Sequence, residues 1–165
     1  MKKEQLLEAI KKAMRAELDS VNLYQSALNA SDDQEVKDFF QERVDEEKRH
    51  YNYLLNYYKE IESDKKLTDL GDIFSEPEAE TIFSEGFLRR IGEKQVLFSA
   101  ISTAVLLEKE ALQHYKNLAQ DTDEQELKDF FSHMGSWETQ HYMDVLKIQQ
   151  EAEKFYWEIN DFEPF

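Results

Sequence analysis

The sequence predicts an all-α protein: a four-helix bundle of two antiparallel helix hairpins joined by a long crossover. Three observations carry this expectation. Apolar residues recur at helical spacing through long charged stretches, and Gly and Pro number only four and two in 165 residues. In addition, residues 17–55 align without a gap to residues 108–146 at a constant offset of 91, with thirteen of 39 pairs identical. Few turn formers and 34% charged residues suit long helices better than a sheet with many turns.

The elements follow in chain order. Leu6, Ile10, Ala13, Met14, Val21 and Leu28 recur at spacings of three, four and seven, the stripe of an amphipathic helix. Ser31 and Asp32 supply an N-cap signal for a second helix over 33–62, which carries Val36, Phe39, Phe40, Val44, Leu54 and Ile61. The pattern repeats in a third helix over 94–119, a cap at Thr122 and Asp123, and a fourth helix reaching residue 157. Short loops within each unit make each helix pair an antiparallel hairpin. The intervening segment contains Gly71, Pro77, Gly86 and Gly92 and is long enough to run the length of a bundle, with a short helix expected over 82–91. The expected plan is one domain: a hairpin over 3–62, a crossover over 63–92, a hairpin over 93–158 and a tail over 159–165. The tail, aromatic and stopped by Pro164, is expected to pack back onto the bundle or a neighbour.

Composition excludes several functions. Acidic residues outnumber basic ones 36 to 20, a net charge of −16, which disfavours binding to nucleic acid or to anionic membranes. The absence of cysteine excludes disulfides, iron–sulfur clusters and thiol catalysis within this sequence. No apolar signal-peptide core follows Met1, and the longest charge-free run, 95–107, is too short to span a bilayer. A soluble cytoplasmic protein is expected.

The repeat also singles out a constellation. Glu17 and Glu108 are repeat-mates in the middle of their apolar stripes. Glu47 and His50 form a Glu-x-x-His pair whose repeat-mate is Glu138 and His141, and lone and paired Glu are 30 residues apart in both units. Positions i and i+3 lie on one helix face, so each pair can bind one metal ion or two neighbouring ions. Four carboxylates buried together would repel strongly, whereas two divalent cations cancel their charge. Two imidazoles complete an oxygen and nitrogen shell suited to iron or manganese. One Glu from each of two helices with Glu-x-x-His from the other two matches the known template of di-iron carboxylate bundles. Glu46 is set aside as a ligand because its repeat-mate is Trp137, and Glu110 and Asp19 because they lie on the flank of the stripe. Tyr24 and Tyr115, seven residues after Glu17 and Glu108, lie on the same faces and can hydrogen-bond a carboxylate ligand. His114 and His133 lack histidine repeat-mates and read as peripheral, and Trp137 reads as core filler.

At these residues the chain resembles the rubrerythrin-like branch of the ferritin-like superfamily, over nearly its whole length. The motif comprises Glu17 with Tyr24, Glu47 with His50, Glu108 with Tyr115, and Glu138 with His141. The resemblance implies a ferritin-like bundle with a non-haem centre of two iron ions, manganese or zinc being alternatives, that reduces hydrogen peroxide or dioxygen. A homodimer is expected. Rubrerythrins carry a rubredoxin domain with four cysteines, absent here, so electrons are expected from a separate rubredoxin-like donor. Rubrerythrins also have an extra glutamate one turn after the third-helix ligand. The matching Ala111 makes the site look more like the symmetric six-ligand centre of bacterioferritins. The expected function is a di-iron oxidoreductase protecting against oxidative stress. The alternatives are a ferroxidase or iron-handling protein, and a non-catalytic metal-binding bundle.

Overall fold

Five helices occupy the described residues, 1–70 and 81–159, of the computed structural model: α1 (Lys3–Ala30), α2 (Gln34–Glu62), α3 (Glu85–Glu93), α4 (Gln95–Asp121) and α5 (Gln125–Ile159). No strand occurs among these residues. Helices α1 and α2 pack as one pair and α4 and α5 as the other, and α1 also packs on α4. The loops inside the pairs are short, spanning 31–33 and 122–124.

Helix ends differ from expectation for local reasons. Helix α2 starts one residue late because Asp33 is its N-cap: Asp33 has extended backbone, and its side chain accepts the Val36 N–H at 3.1 Å. Ser31 sits before the cap, where its hydroxyl accepts the Asp33 N–H at 3.3 Å. The third bundle helix runs two residues beyond residue 119, and the fourth two beyond residue 157. The short crossover helix lies at 85–93 instead of 82–91 because Ser84 caps it, accepting the Phe87 N–H at 3.0 Å.

Helix α3 buries Phe87, Leu88 and Ile91 in one core cluster with residues of α4 and α5. Gly92 marks the closest approach. A Cβ there would lie 2.4 Å from the Ala152 carbonyl oxygen and 2.8 Å from the Phe155 Cβ. Lys94 follows at the joint and donates its ammonium to the Ala30 carbonyl, at the C-terminal end of α1, where the helix dipole favours a cation. The middle of the expected crossover, 71–80, and residues 160–165 of the expected tail lie outside the described residues.

The core consists of two apolar clusters. One includes Tyr24, Val44, Val105 and Val145, and the other Ala13, Leu54, Ala111 and Met134. Every bundle helix crosses from one cluster to the other, and at each crossing it buries titratable residues: Glu17 on α1, Glu47 and His50 on α2, Glu108 on α4, Glu138 and His141 on α5. Each fully buried Leu, Ile or Phe contributes about 1.5–3 kcal/mol. The two clusters therefore hold the four helices in register around a polar layer that would not cohere alone. No helix among the described residues is long and apolar enough to cross a membrane.

Candidate metal centre

All six residues singled out as candidate ligands meet in this layer. Glu17, Glu47, Glu108 and Glu138 are at most 2% exposed, and His50 and His141 5%. The Nδ1 atom of each imidazole lies closest to the glutamate of the other hairpin's Glu-x-x-His pair. His50 Nδ1 is 2.8 Å from Glu138 Oε1, 3.4 Å from Glu47 Oε2 and 3.6 Å from Glu17 Oε2. His141 Nδ1 is 3.0 Å from Glu47 Oε1, 3.5 Å from Glu138 Oε2 and 3.9 Å from Glu108 Oε2. The result is two quartets, Glu17–Glu47–His50–Glu138 and Glu47–Glu108–Glu138–His141, each with ligand atoms within 4.8 Å of one another. Glu47 and Glu138 belong to both, so the quartets form one site with two adjacent positions.

The donor atoms themselves test whether metal ions fit. Among the described residues, both oxygens of Glu47, both oxygens of Glu138 and the Nδ1 atoms of His50 and His141 are buried without a hydrogen-bond partner. Buried polar groups are ordinarily hydrogen-bonded, and leaving one unpaired costs about 1–3 kcal/mol, more for a charge. Six unsatisfied donor atoms aimed at one point therefore call for a common partner. Carboxylate oxygens and imidazole nitrogens are ligands for iron, manganese or zinc, so the residues present fit a pair of such ions.

Without cations, protons must balance the charge. Burial, with the nearby Glu138 and Glu47 carboxylates, pushes the carboxyls of Glu17 and Glu108 well above their usual range. Burial would raise Glu47 and Glu138 too, as would the Glu47 charge for Glu138, but the close neighbours outweigh it. Glu47 is held well below its usual range by Glu17, His141 and His50, and Glu138 at about 2 by His141 and His50. Both imidazoles are raised well above their usual value, because the carboxylates around them outweigh the effect of burial. In the metal-free layer Glu17, Glu108, His50 and His141 thus favour their protonated forms, and Glu47 and Glu138 their ionised forms.

The tyrosines pair crosswise. Tyr24 on α1 donates to Glu108 Oε1 on α4 at 2.5 Å, and Tyr115 on α4 donates to Glu17 Oε1 on α1. Burial and the adjoining glutamates raise both phenols well above their usual value, so they remain donors at neutral pH. Each hairpin thus fixes the lone glutamate of the other.

Two residues that sequence symmetry set aside touch the site. Glu46 is outside both quartets, but its Oε2 lies 2.6 Å from Nε2 of His141. Burial pushes Glu46 up, and the hydrogen bond and charge of His141, with the charge of Arg43, outweigh it and hold the carboxylate below its usual value. Trp137 is partly buried and packs against one apolar cluster as expected, and it also stacks on His50, with centroids 5.0 Å apart and planes 6° from parallel, so it is a wall of the site as well. The signal for Glu46 was present in the sequence: it precedes a ligand and follows Arg43 by three residues, the spacing of the ion pair they form at 3.1 Å. His114, half-buried with Nε2 3.1 Å from the Ala9 carbonyl oxygen, and the exposed His133 belong to neither quartet. Glu110 and Asp19 are exposed, and Ala111 packs in the core without adding a carboxylate.

Comparison with known proteins agrees with this geometry. No curated protein matches the chain. Among solved structures, a two-domain protein from Anabaena variabilis with DJ-1/ThiJ/PfpI-like and ferritin-like domains is similar, with a TM-score of 0.57 at 16% identity. The match covers 99% of this chain but 39% of that protein, and at this identity it shows the shared fold alone. A model of the rubrerythrin family matches residues 8–149, a span that includes all six candidate ligands and both tyrosines, and the chain belongs to that family.

Proposed function

We propose that the protein is a di-iron oxidoreductase that reduces hydrogen peroxide or dioxygen with electrons from an external donor, of the rubredoxin type. The observation that carries this reading is the pair of quartets sharing Glu47 and Glu138, whose four carboxylate oxygens are buried without a hydrogen-bond partner. Glu17, Glu47, His50 and Glu138 would hold one ion, and Glu47, Glu108, Glu138 and His141 the other. When bound, two ferrous ions supply the two electrons that, with two protons, convert hydrogen peroxide to two waters.

The remaining work falls to the chain. Tyr115 and Tyr24 hold Glu17 and Glu108 by hydrogen bonds to the oxygen each leaves for them. Their apolar neighbours on either side exclude bulk water, which strengthens every charge interaction inside the layer. The imidazoles offer Nδ1 to the centre of the site, and Glu46 holds the far nitrogen of His141.

A second reading, iron oxidation without peroxidase turnover, is favoured by Ala111. It stands where rubrerythrins have an additional glutamate, leaving the symmetric six-ligand set seen here. Anaerobic ferrous protein mixed with peroxide or with dioxygen in a stopped-flow spectrometer separates the two. Stoichiometric oxidation by peroxide, faster than by dioxygen and reversed by reduced rubredoxin, is the expected result. Faster oxidation by dioxygen followed by iron release would establish the second reading. Protein purified with under about 0.3 metal ions per chain, unchanged by Glu47→Ala, would end both, since a closed ligand set of this kind retains its ions.

A further inference from the structure

Each histidine has a distinct setting outside the quartets, and the settings occupy matching positions of the repeat. Around His141 the setting is charged. Glu46 takes the Nε2 contact, Arg43 Nη1 holds Glu46 Oε2 at 3.1 Å, Arg43 Nη2 lies 3.8 Å from Asp144 Oδ2, and Gln140 donates to Asp144 Oδ1 at 3.0 Å. Arg43 and Asp144 are 7% and 5% exposed, so this is a built-in network and not a surface accident. Around His50 the setting is aromatic. Trp137 stacks on the imidazole at 5.0 Å, and Tyr53 stacks behind Trp137 at 6.4 Å. At the offset of 91, Glu46 matches Trp137, Asp144 matches Tyr53, and Arg43 matches Met134. The repeat thus conserves the two imidazoles and exchanges ionic support for aromatic support around them.

We propose that the two metal positions are inequivalent, and that Glu46 is a positioning residue that makes the Glu47–Glu108–Glu138–His141 position fill first. This rests on the reading that the six residues bind metal. The argument is one of tautomer and basicity. An imidazole that binds a metal through one nitrogen is neutral and keeps one N–H, and the Glu46 carboxylate can only accept, so the hydrogen His141 keeps is the one on Nε2. The Nδ1 lone pair is thereby left facing Glu47 and Glu138, and the carboxylate increases its donor strength. Arg43 fixes Glu46 from behind, so the orientation exists before the ion arrives. An indole N–H donates and does not accept, so Trp137 cannot select the tautomer of His50 in this way. Stacking fixes the plane of that ring but offers it no acceptor.

The test is anaerobic titration of Co(II) into the metal-free protein, followed by calorimetry and visible absorption, for wild type, Glu46→Gln and Glu46→Ala. Wild type should bind two ions in distinguishable steps. At one equivalent of Co(II), anomalous scattering from crystals should place the ion predominantly beside His141. Glu46→Ala should weaken the tighter step by about 10–100-fold and leave the other within about threefold. Glu46→Gln retains an acceptor oxygen without the charge, so it should fall between, and its closeness in shape guards against a folding artefact. Equal weakening of both ions, no weakening of either, or equal occupancy at one equivalent would overturn the inequivalence while leaving the metal site standing. Failure of the wild type to bind Co(II) would instead overturn the metal-binding reading and the inference with it.

Discussion

Titrating a divalent cation into the metal-free protein replaces one charge balance with another, and the exchange can be counted. Burial favours the protonated forms of Glu17 and Glu108, and the surrounding carboxylates favour the protonated forms of His50 and His141. Two dications require all four carboxylates ionised and both imidazoles neutral, so filling both positions should expel protons from these groups, up to about four. Each proton released makes binding about tenfold tighter per unit rise in pH. The product of the two association constants should therefore climb up to about 10⁴-fold per pH unit while all four protons are in place.

The sign follows from the direction of the shifts. These four groups have folded values above their unfolded values of 4.5 and 6.5. Their contribution to the stability of the metal-free fold is complete below those unfolded values and is lost as pH rises through the folded ones. Metal binding gains over the same interval, so the rise in Tm on adding metal should grow with pH. Calorimetry in two buffers of different ionisation enthalpy gives the proton count, and a chelator competition from about pH 6 to about pH 8 gives the affinity. Release of fewer than about one proton per pair of ions, or an affinity flat across that range, would refute the charge accounting.

Other perturbations test the packing and the supports of the site. Gly92→Ala forces a methyl group against the Ala152 carbonyl oxygen and should cost about 1–3 kcal/mol in urea unfolding, with a lower midpoint and little change in slope. Asp33→Ala removes the α2 cap and a 3.0 Å ion pair with Arg90, and thermal melting should report a loss of about 1 kcal/mol. Tyr115→Phe keeps the ring volume and deletes the hydrogen bond to Glu17. Circular dichroism should be unchanged while a chelator competition shows one ion bound about tenfold more weakly, and Tyr24→Phe should do the same through Glu108.

How much of this was legible in the sequence depends on what the repeat could see. The helices were legible because their apolar stripes persist over several turns: Leu6, Ile10 and Ala13 are buried, as are Val36, Phe40, Val44 and Leu54. Ends were less legible, because Ser31, Asp32 and Asp33 are all competent caps and only the backbone at Asp33 decides among them. The six residues of the polar layer were legible because they recur in both halves at one offset. The crosswise tyrosines were half legible: spacing placed each on the same helix as a glutamate, but which glutamate it meets depends on how α1 packs on α4.

Symmetry used as a filter keeps what the halves share and discards what distinguishes them. That filter correctly kept Glu46 out of the ligand quartets, since Trp137 holds the equivalent position and cannot bind an ion. It also made Glu46 look irrelevant, although the carboxylate contacts His141 at 2.6 Å across the hairpin boundary. The two facts are compatible once ligands and supports are separated. A two-metal site with shared bridging carboxylates needs matching donors from both halves, because each ion must meet the same requirement for charge and coordination number. The supports behind the donors carry no such requirement, since a carboxylate and an indole can each hold an imidazole by different physics. Duplicated sequence therefore constrains the inner ring and leaves the outer ring free to diverge, and that freedom is where the two ends of the site acquire different chemistry.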